Sequence, residues 1–273
     1  MSKTILITGA STGIGKATAL HFAKNNWNVV ATMRSPEKET DLLQFSNVLL
    51  LKLDVTDISS IQSAIETSIQ KYTKIDVVLN NAGFGLVGVF EAITPEQIHK
   101  QFDTNVFGVM NVIRAILPHF RANKAGLILN TTSMGGLIAF PLYSVYHATK
   151  WALEGFSESL HYELRQHNIQ IKNIEPGAIK TDFYSRSMDY VSHSSYEPYA
   201  SICQDNMQNE GANAVGPEVV VATIYKAATD HSSKLRYPAG GNSSAILFAR
   251  WLLPISVFIK IVRAVVEKGF RNK

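Results

Sequence analysis

Short apolar runs alternate with helix-spaced segments at least five times between Thr4 and Ile174, and no other feature restricts the fold as strongly. The runs are Thr4 to Thr8, Trp27 to Met33, Val48 to Leu53, Ile75 to Leu79, Leu127 to Thr131 and Ile169 to Ile174. The first, Thr4 to Thr8, is a short apolar run ended by Gly9, the pattern of a strand buried in a parallel sheet. Between the runs lie a helical stretch over Lys16 to Asn25 and another carrying Ile58, Ile61, Ile65 and Ile69. Ser35-Pro36-Glu37 has the N-cap, proline and acid of a helix start, and Pro95 to Asn123 reads as one long helix. A further helix carries Tyr146 and runs to about His167, and Pro217 to Asp230 reads as another. This alternation predicts an α/β fold: a doubly wound parallel sheet of about seven strands, helices on both faces, right-handed crossovers, and ligands at the strands' carboxyl ends. A chain of 273 residues can bury one such core, so residues 1–273 are expected to form a single domain.

Charge and cysteine content narrow the classes of function. The net charge of +4 is mild, and the first 240 residues carry no basic stripe of the kind that binds nucleic acid. Cys203 is the single cysteine, so an intrachain disulfide is impossible and a reducing, cytoplasmic compartment is expected. The N-terminus runs straight into the first strand, and no signal peptide is expected.

The candidate chemistry sits where strands end. After the first strand comes Thr8-Gly9-Ala10-Ser11-Thr12-Gly13-Ile14-Gly15. Glycines let the backbone approach a pyrophosphate, and the following helix offers free N–H groups and a positive dipole end. A P-loop is excluded, because Ala10 stands where its first glycine belongs and Ala17 where its Ser or Thr belongs. A plain strand-to-helix turn remains open. The second strand ends at Arg34, with no acid between Trp27 and Pro36. In a dinucleotide fold an acid there binds a free ribose 2′-hydroxyl, whereas an arginine accommodates a 2′-phosphate. The bland alternative is an exposed charge flanking a helix. The third and fourth strands end in Asp54-Val55 and Asn80-Asn81-Ala82-Gly83. Asn105 falls among apolar neighbours and must be hydrogen-bonded, either as a structural bridge or in a site. Ser133 follows the fifth strand with glycines behind it, and Pro176-Gly177 follows the sixth. Tyr146 and Lys150 share a helix face one turn apart. An ammonium beside a phenol favours the phenolate and suits proton transfer to or from a substrate oxygen. The same spacing also describes a solvated surface pair.

As a set these motifs resemble the short-chain dehydrogenase/reductase family in its short, single-domain Rossmann-type form. Thr8-Gly9-x-x-x-Gly13-x-Gly15, Asn80-Asn81-Ala82-Gly83, Asn105 followed by Gly108, Ser133, Tyr146-x-x-x-Lys150 and Pro176-Gly177-x-x-x-Thr181 occur in the family's order over roughly residues 3–181. The resemblance implies NAD(P)-dependent oxidoreduction at a carbonyl or alcohol carbon, with no metal. Tyr146 would be the general acid or base, and Lys150 would hold the nicotinamide ribose and depress the tyrosine pKa. Ser133 would bond the substrate oxygen, and Asn105 would hold the helix and a relay water. Gly9, Ser11, Gly13, Ile14 and Gly15 would meet the pyrophosphate, and Asp54 and Val55 the adenine. Asn81, with Ala82 and Gly83, would lie along the path to the nicotinamide. Ile179 and Thr181, after Pro176 and Gly177, would meet the carboxamide. NADP(H) is expected over NAD(H). His147 is commonly a small residue in such relatives and reads as a local variation. A homo-oligomer is expected, since relatives often pair the helices holding Asn105 and Tyr146.

The last third is less constrained. Residues 182–216 hold Phe183, Tyr184, Tyr190, Tyr196 and Tyr199 without clear periodicity, which reads as a lid over a lipophilic substrate. Leu235-Arg236-Tyr237-Pro238-Ala239-Gly240 and Arg34 resemble the hydroxysteroid and retinol dehydrogenase-like branch. Residues 243–273 are an apolar helical segment with six basic residues against one acid, a net +5 in a chain of +4. One expectation is that it covers the pocket or an oligomer contact. The other is peripheral contact with a membrane, apolar face down. The expected activity is NADPH-linked reduction of a lipophilic ketone or aldehyde, such as a steroid, retinoid or fatty carbonyl, or the reverse alcohol oxidation. The alternative, a catalytically silent NAD(P)-sensing protein, would carry a broken Ser–Tyr–Lys set, and here the set is intact.

Overall fold

The computed structural model describes residues 2–181, 183, 187–212 and 214–270. Seven parallel strands form the central sheet, in the order β3-β2-β1-β4-β6-β7-β9. They are β1 (Thr4–Thr8), β2 (Asn28–Met33), β3 (Val48–Lys52), β4 (Val77–Asn80), β6 (Gly126–Thr131), β7 (Ile169–Pro176) and β9 (Arg236–Ala239). The expected sheet is therefore present, with its topological switch between β1 and β4.

The continuous apolar runs have the reason anticipated from sequence. In β1, Ile5 and Ile7 enter one core and Leu6 the other. The first core is closed by α1 (Gly13–Lys24) and α7 (Glu218–Thr229), through Ala19, Phe22, Val220 and Ile224. The second is closed by α2 (Ile58–Tyr72), α4 (Gly108–Ala122) and α5 (Ser144–Leu164), through Ile61, Ile65, Val112, Ile116, Leu153 and Leu160. β9 is a four-residue edge strand, with Pro238 paired in register with Glu175.

Two helix expectations are corrected, and two further features were not anticipated. The long helix from Pro95 is broken: α3 (Pro95–Phe102) passes through a π turn over Asp103–Phe107 before α4 begins. Ser35-Pro36-Glu37 opens only a 3₁₀ turn, Pro36–Lys38. Glu39 follows it, its N–H donating to the Pro36 carbonyl, and its carboxylate accepts from the N–H groups of Asp41 and Leu42 at 2.8 and 3.2 Å. A second sheet of two parallel strands, β5 (Gly85–Gly88) and β8 (Met188–Val191), was not anticipated. The segment read as an aperiodic lid contains β8 and also α6 (Tyr199–Ala212). Tyr184, one of the five aromatics of that segment, lies outside the described residues, as do Arg271 and Lys273. The C-terminal segment folds as α8 (Ser243–Leu252) and α9 (Ile255–Val266). No helix among the described residues is long and apolar enough to cross a membrane.

Candidate active site

The glycine turn lies against the end of β4 with no space to spare. Gly9 has a φ of 67°, and a Cβ there would lie 2.8 Å from the Cα of Ala82. A Cβ on Gly15 would collide with the carbonyl oxygen of Gly9. Asn81 fastens the two turns, its side-chain amide donating to the carbonyls of Thr8 and Gly9 at 3.2 and 3.1 Å. The Thr8 hydroxyl accepts from the N–H groups of Asn81 and Ala82. Thr12 leaves the start of α1 without a side-chain cap, and the first turn holds no acid. Among the described residues, no side chain therefore caps its first N–H groups, as an anion site requires.

The other predicted cofactor residues gather along the same carboxyl edge. Ser11 is exposed beside the turn, and Ile14 is half-buried in α1. Arg34 is exposed at the end of β2 and makes no ion pair or hydrogen bond among the described residues. The neighbouring basic residue, Lys16, is instead committed to Glu39 and Asp41 at 3.1 and 2.7 Å. Asp54 accepts from the N–H and hydroxyl of Thr56, while Val55 is buried under Gly108. Past β7, a Cβ on Gly177 would lie 2.7 Å from the Gly240 carbonyl oxygen. Ile179 is buried, and Thr181 approaches Gly13, 3.7 Å from where its Cβ would stand. These residues fit a dinucleotide stretched along the edge: a backbone cradle too tight for side chains, uncapped N–H groups, and a free guanidinium at the β2 end.

Asn105 sits in the π turn and is buried. Its Nδ2 donates to the Phe84 carbonyl at 2.8 Å and to the Thr149 hydroxyl at 3.3 Å, and its Oδ1 accepts from the Phe84 N–H at 3.1 Å. A π turn inserts one residue into a helix and recurs at functional sites. Here it aims Asn105 at the strand after Gly83 and at the helix of Tyr146. Gln101, one turn earlier and fully buried, supports the same strand by accepting from Leu86 N–H and donating to the Phe84 carbonyl. Sequence reading passed over Gln101. Its signal was a second amide four residues before Asn105 on an apolar stripe.

The Tyr146–Lys150 pair stands at the start of α5. Lys150 is buried, and its Nζ lies 5.7 Å from the Tyr146 ring centre and donates to the Thr131 carbonyl at 2.9 Å. Burial pushes its ammonium down to about 8, against the opposing charge of Glu154. Ser133 accepts from the Gly135 N–H at 3.0 Å, which leaves its own hydroxyl proton free to donate. His147 proves to be a clamp. Its Nδ1 bonds the Gly135 carbonyl at 2.8 Å, and its Nε2 accepts from the Phe140 N–H at 3.0 Å. Those bonds fix a neutral imidazole, and burial pushes its pKa down to about 4. The ring thereby ties the Ser133 loop to the helix of Tyr146. Across the site, the Phe183 ring stands 6.3 Å from that of Tyr146.

Beneath the site lies a buried acid cluster that sequence reading also missed. Glu154 accepts from Asn173 and from Arg236, whose Nε lies 3.6 Å from Glu175. Burial, then the charge of Glu154, push the Glu175 carboxyl up to about 8, against Arg236 and Lys234.

A dinucleotide cradle at the switch point of a doubly wound sheet, facing a tyrosine–lysine pair, defines a nicotinamide-dependent oxidoreductase. The family model for short chain dehydrogenases matches residues 3–190, and the chain belongs to the short-chain dehydrogenase/reductase family. Among relatives, 3-ketodihydrosphingosine reductase of Bacteroides thetaiotaomicron is 34% identical over 91% of this chain and 92% of its own length. A short-chain dehydrogenase of Streptomyces avermitilis superposes with a TM-score of 0.83 at 30% identity, covering 96% of both chains. ElxO, solved with NADP bound, superposes with a TM-score of 0.75 at 29% identity, over 90% of this chain and all of its own. More distant neighbours of the same fold hold NADH, NAD or NADP.

Proposed function

We propose that the chain is an NADPH-linked carbonyl reductase, or in reverse an alcohol dehydrogenase, for a lipophilic substrate such as a steroid, retinoid or fatty carbonyl. The observation that carries this reading is the buried Lys150 ammonium 5.7 Å from the Tyr146 ring, beside a serine with a free hydroxyl proton. The bound nicotinamide supplies or accepts the hydride. Tyr146 donates the proton to the carbonyl oxygen in reduction and takes it back in oxidation. Lys150 holds the ribose and favours the phenolate. Ser133 bonds the same substrate oxygen, so negative charge developing there meets two donors. Asn105 holds the π turn and the relay water.

Arg34, unpaired among the described residues and with no acid near it on β2, supports a 2′-phosphate and hence NADP(H). Phe183 opposite Tyr146, with Met188 beside Gly85, supports an apolar substrate, as does a relative named for a ketosphingoid base. The form of β9 and Arg34 favours the hydroxysteroid and retinol dehydrogenase-like branch. A homo-oligomer through α4 and α5 is supported by exposed Phe107 beside Asn105 and by exposed Trp151 and Tyr162 on α5. A buried lone cysteine suits a reducing cytoplasm. The test is a panel of steroids, retinoids, fatty aldehydes and small ketones, scored for NADPH and NADH consumption. Turnover of lipophilic carbonyls with NADPH is expected. Turnover confined to small polar ketones, or to NADH, overturns the corresponding half of the reading.

A further inference from the structure

We propose that α8 and α9 form a surface that rests in the interface of an anionic membrane. Phe258 and Val266 of α9 are buried, and Val262 between them is half-buried, so one stripe at helical spacing packs inward. Val257, Ile261 and Val265, one residue before each, form a second stripe beside it, and all three are exposed. On α8, Phe248, Trp251 and Leu252 share one face and are exposed as well, Trp251 at 78%. Pro254 separates the helices, and neither is long enough to span a bilayer. Two neighbouring helices with so many exposed apolar side chains need a cover.

Charge identifies the cover. Residues 243–273 carry a net +5, while the rest of the chain sums to −1. Lys260 and Lys268 are exposed, and the Arg250 guanidinium stands 5.8 Å from the Phe258 ring. Exposed apolar side chains, a tryptophan and a basic excess in one short segment match the interface of anionic lipids and apolar tails. A second copy of the same face would instead bring like charges together.

The surface is joined to the substrate side of the fold. Asn206 of α6 donates to the carbonyls of Val266 and Lys268, both at 2.9 Å, and Tyr199 bonds Glu267 at 3.2 Å. A membrane seated on α9 therefore lies one helix away from the segment that carries β8 and Phe183.

The test uses the intact protein with vesicles of phosphatidylcholine, alone or doped with phosphatidylglycerol, at low and high salt. Sedimentation with the anionic vesicles at low salt and release at high salt are expected. Brominated lipid should quench Trp251 in a Trp151→Phe background. Trp251→Glu with Ile261→Glu, and separately Lys260→Glu with Lys268→Glu, should each weaken binding by roughly tenfold or more. Both pairs are exposed, and unchanged NADPH binding would verify their fold. Failure to sediment at low salt, equal binding to neutral vesicles, or indifference to both pairs overturns the proposal. So does a lipid-free dimer dispersed by Trp251→Glu, which would make this face a contact between copies. None of these outcomes depends on which carbonyl is reduced.

Discussion

The two ends of the chain treat polarity in opposite ways. In residues 3–181, several amides and hydroxyls are buried and bonded to one another. Asn80 donates to Asn130 at 2.9 Å, and Asn130 to Ser157 at 3.0 Å, a polar ladder running from β4 through β6 into α5. In α8 and α9 many apolar side chains are left outside. A buried hydrogen-bonded network specifies one geometry, because each unmet partner is costly. An exposed apolar face specifies only that something covers it. The first arrangement suits a site that must hold atoms in place, and the second a surface that must meet a deformable partner.

The sharpest way to break this contrast is at the proposed proton donor. Tyr146→Phe keeps the ring and removes the hydroxyl, so steady-state kinetics should show a loss of turnover of about 10²-fold or more with NADPH binding kept. Near-normal turnover would remove Tyr146 from the chemistry. Next is the free guanidinium at β2. Arg34→Asp should weaken NADPH binding by about 2–3 kcal/mol, read by fluorescence titration, and improve NADH relative to it. The polar ladder comes third. Asn130→Ala leaves Asn80 and Ser157 without their partner and should lower stability by about 1–3 kcal/mol in urea. The other half of the contrast predicts that Trp251→Ser changes stability by less than about 0.5 kcal/mol in the same titration. A large loss there would mean that α8 packs more tightly than its exposure implies.

The buried acid cluster gives a pH test of the first region. The folded Glu175 carboxyl keeps its proton up to about 8, whereas the unfolded one releases it near 4.5. Between those values the folded state binds the extra proton, so this group withdraws stability as pH rises through the window. Glu175→Gln cannot ionise. Its melting temperature should match the wild type near the bottom of the window and exceed it at pH 8. A variant that is less stable at both ends would mean that the carboxylate is held charged by Arg236.

What the sequence made legible follows the same division. Strands buried on both faces need unbroken apolar runs, so β1 was found at its observed bounds and the other sheet strands within a few residues. Most of the candidate cofactor residues sit at strand ends, where glycine and asparagine mark turns, whereas Asn105, Tyr146 and Lys150 lie on helices. The π turn stayed hidden because the apolar stripe continues on both sides of it, from Ile98 and Phe102 to Val109 and Val112. The short sheet of β5 and β8 pairs residues about a hundred positions apart, a contact no local pattern encodes. α6 buries only small residues, such as Ala200 and Cys203, in a polar stretch, so it has no stripe to read. His147 and Gln101 were legible as residue types but not as clamps, because their partners are backbone groups of other elements.

The edge strand β9 has a consequence for how copies of this chain can meet. Leu235 and Ala239 carbonyls receive the N–H groups of Asn173 and Gly177, so the alternate residue, Pro238, turns its missing N–H away from the sheet. A further strand approaching that flank would find a four-residue ribbon with a gap where its central donor should be. The sheet therefore terminates chemically at β9, and strand-to-strand polymerisation is closed off on that side.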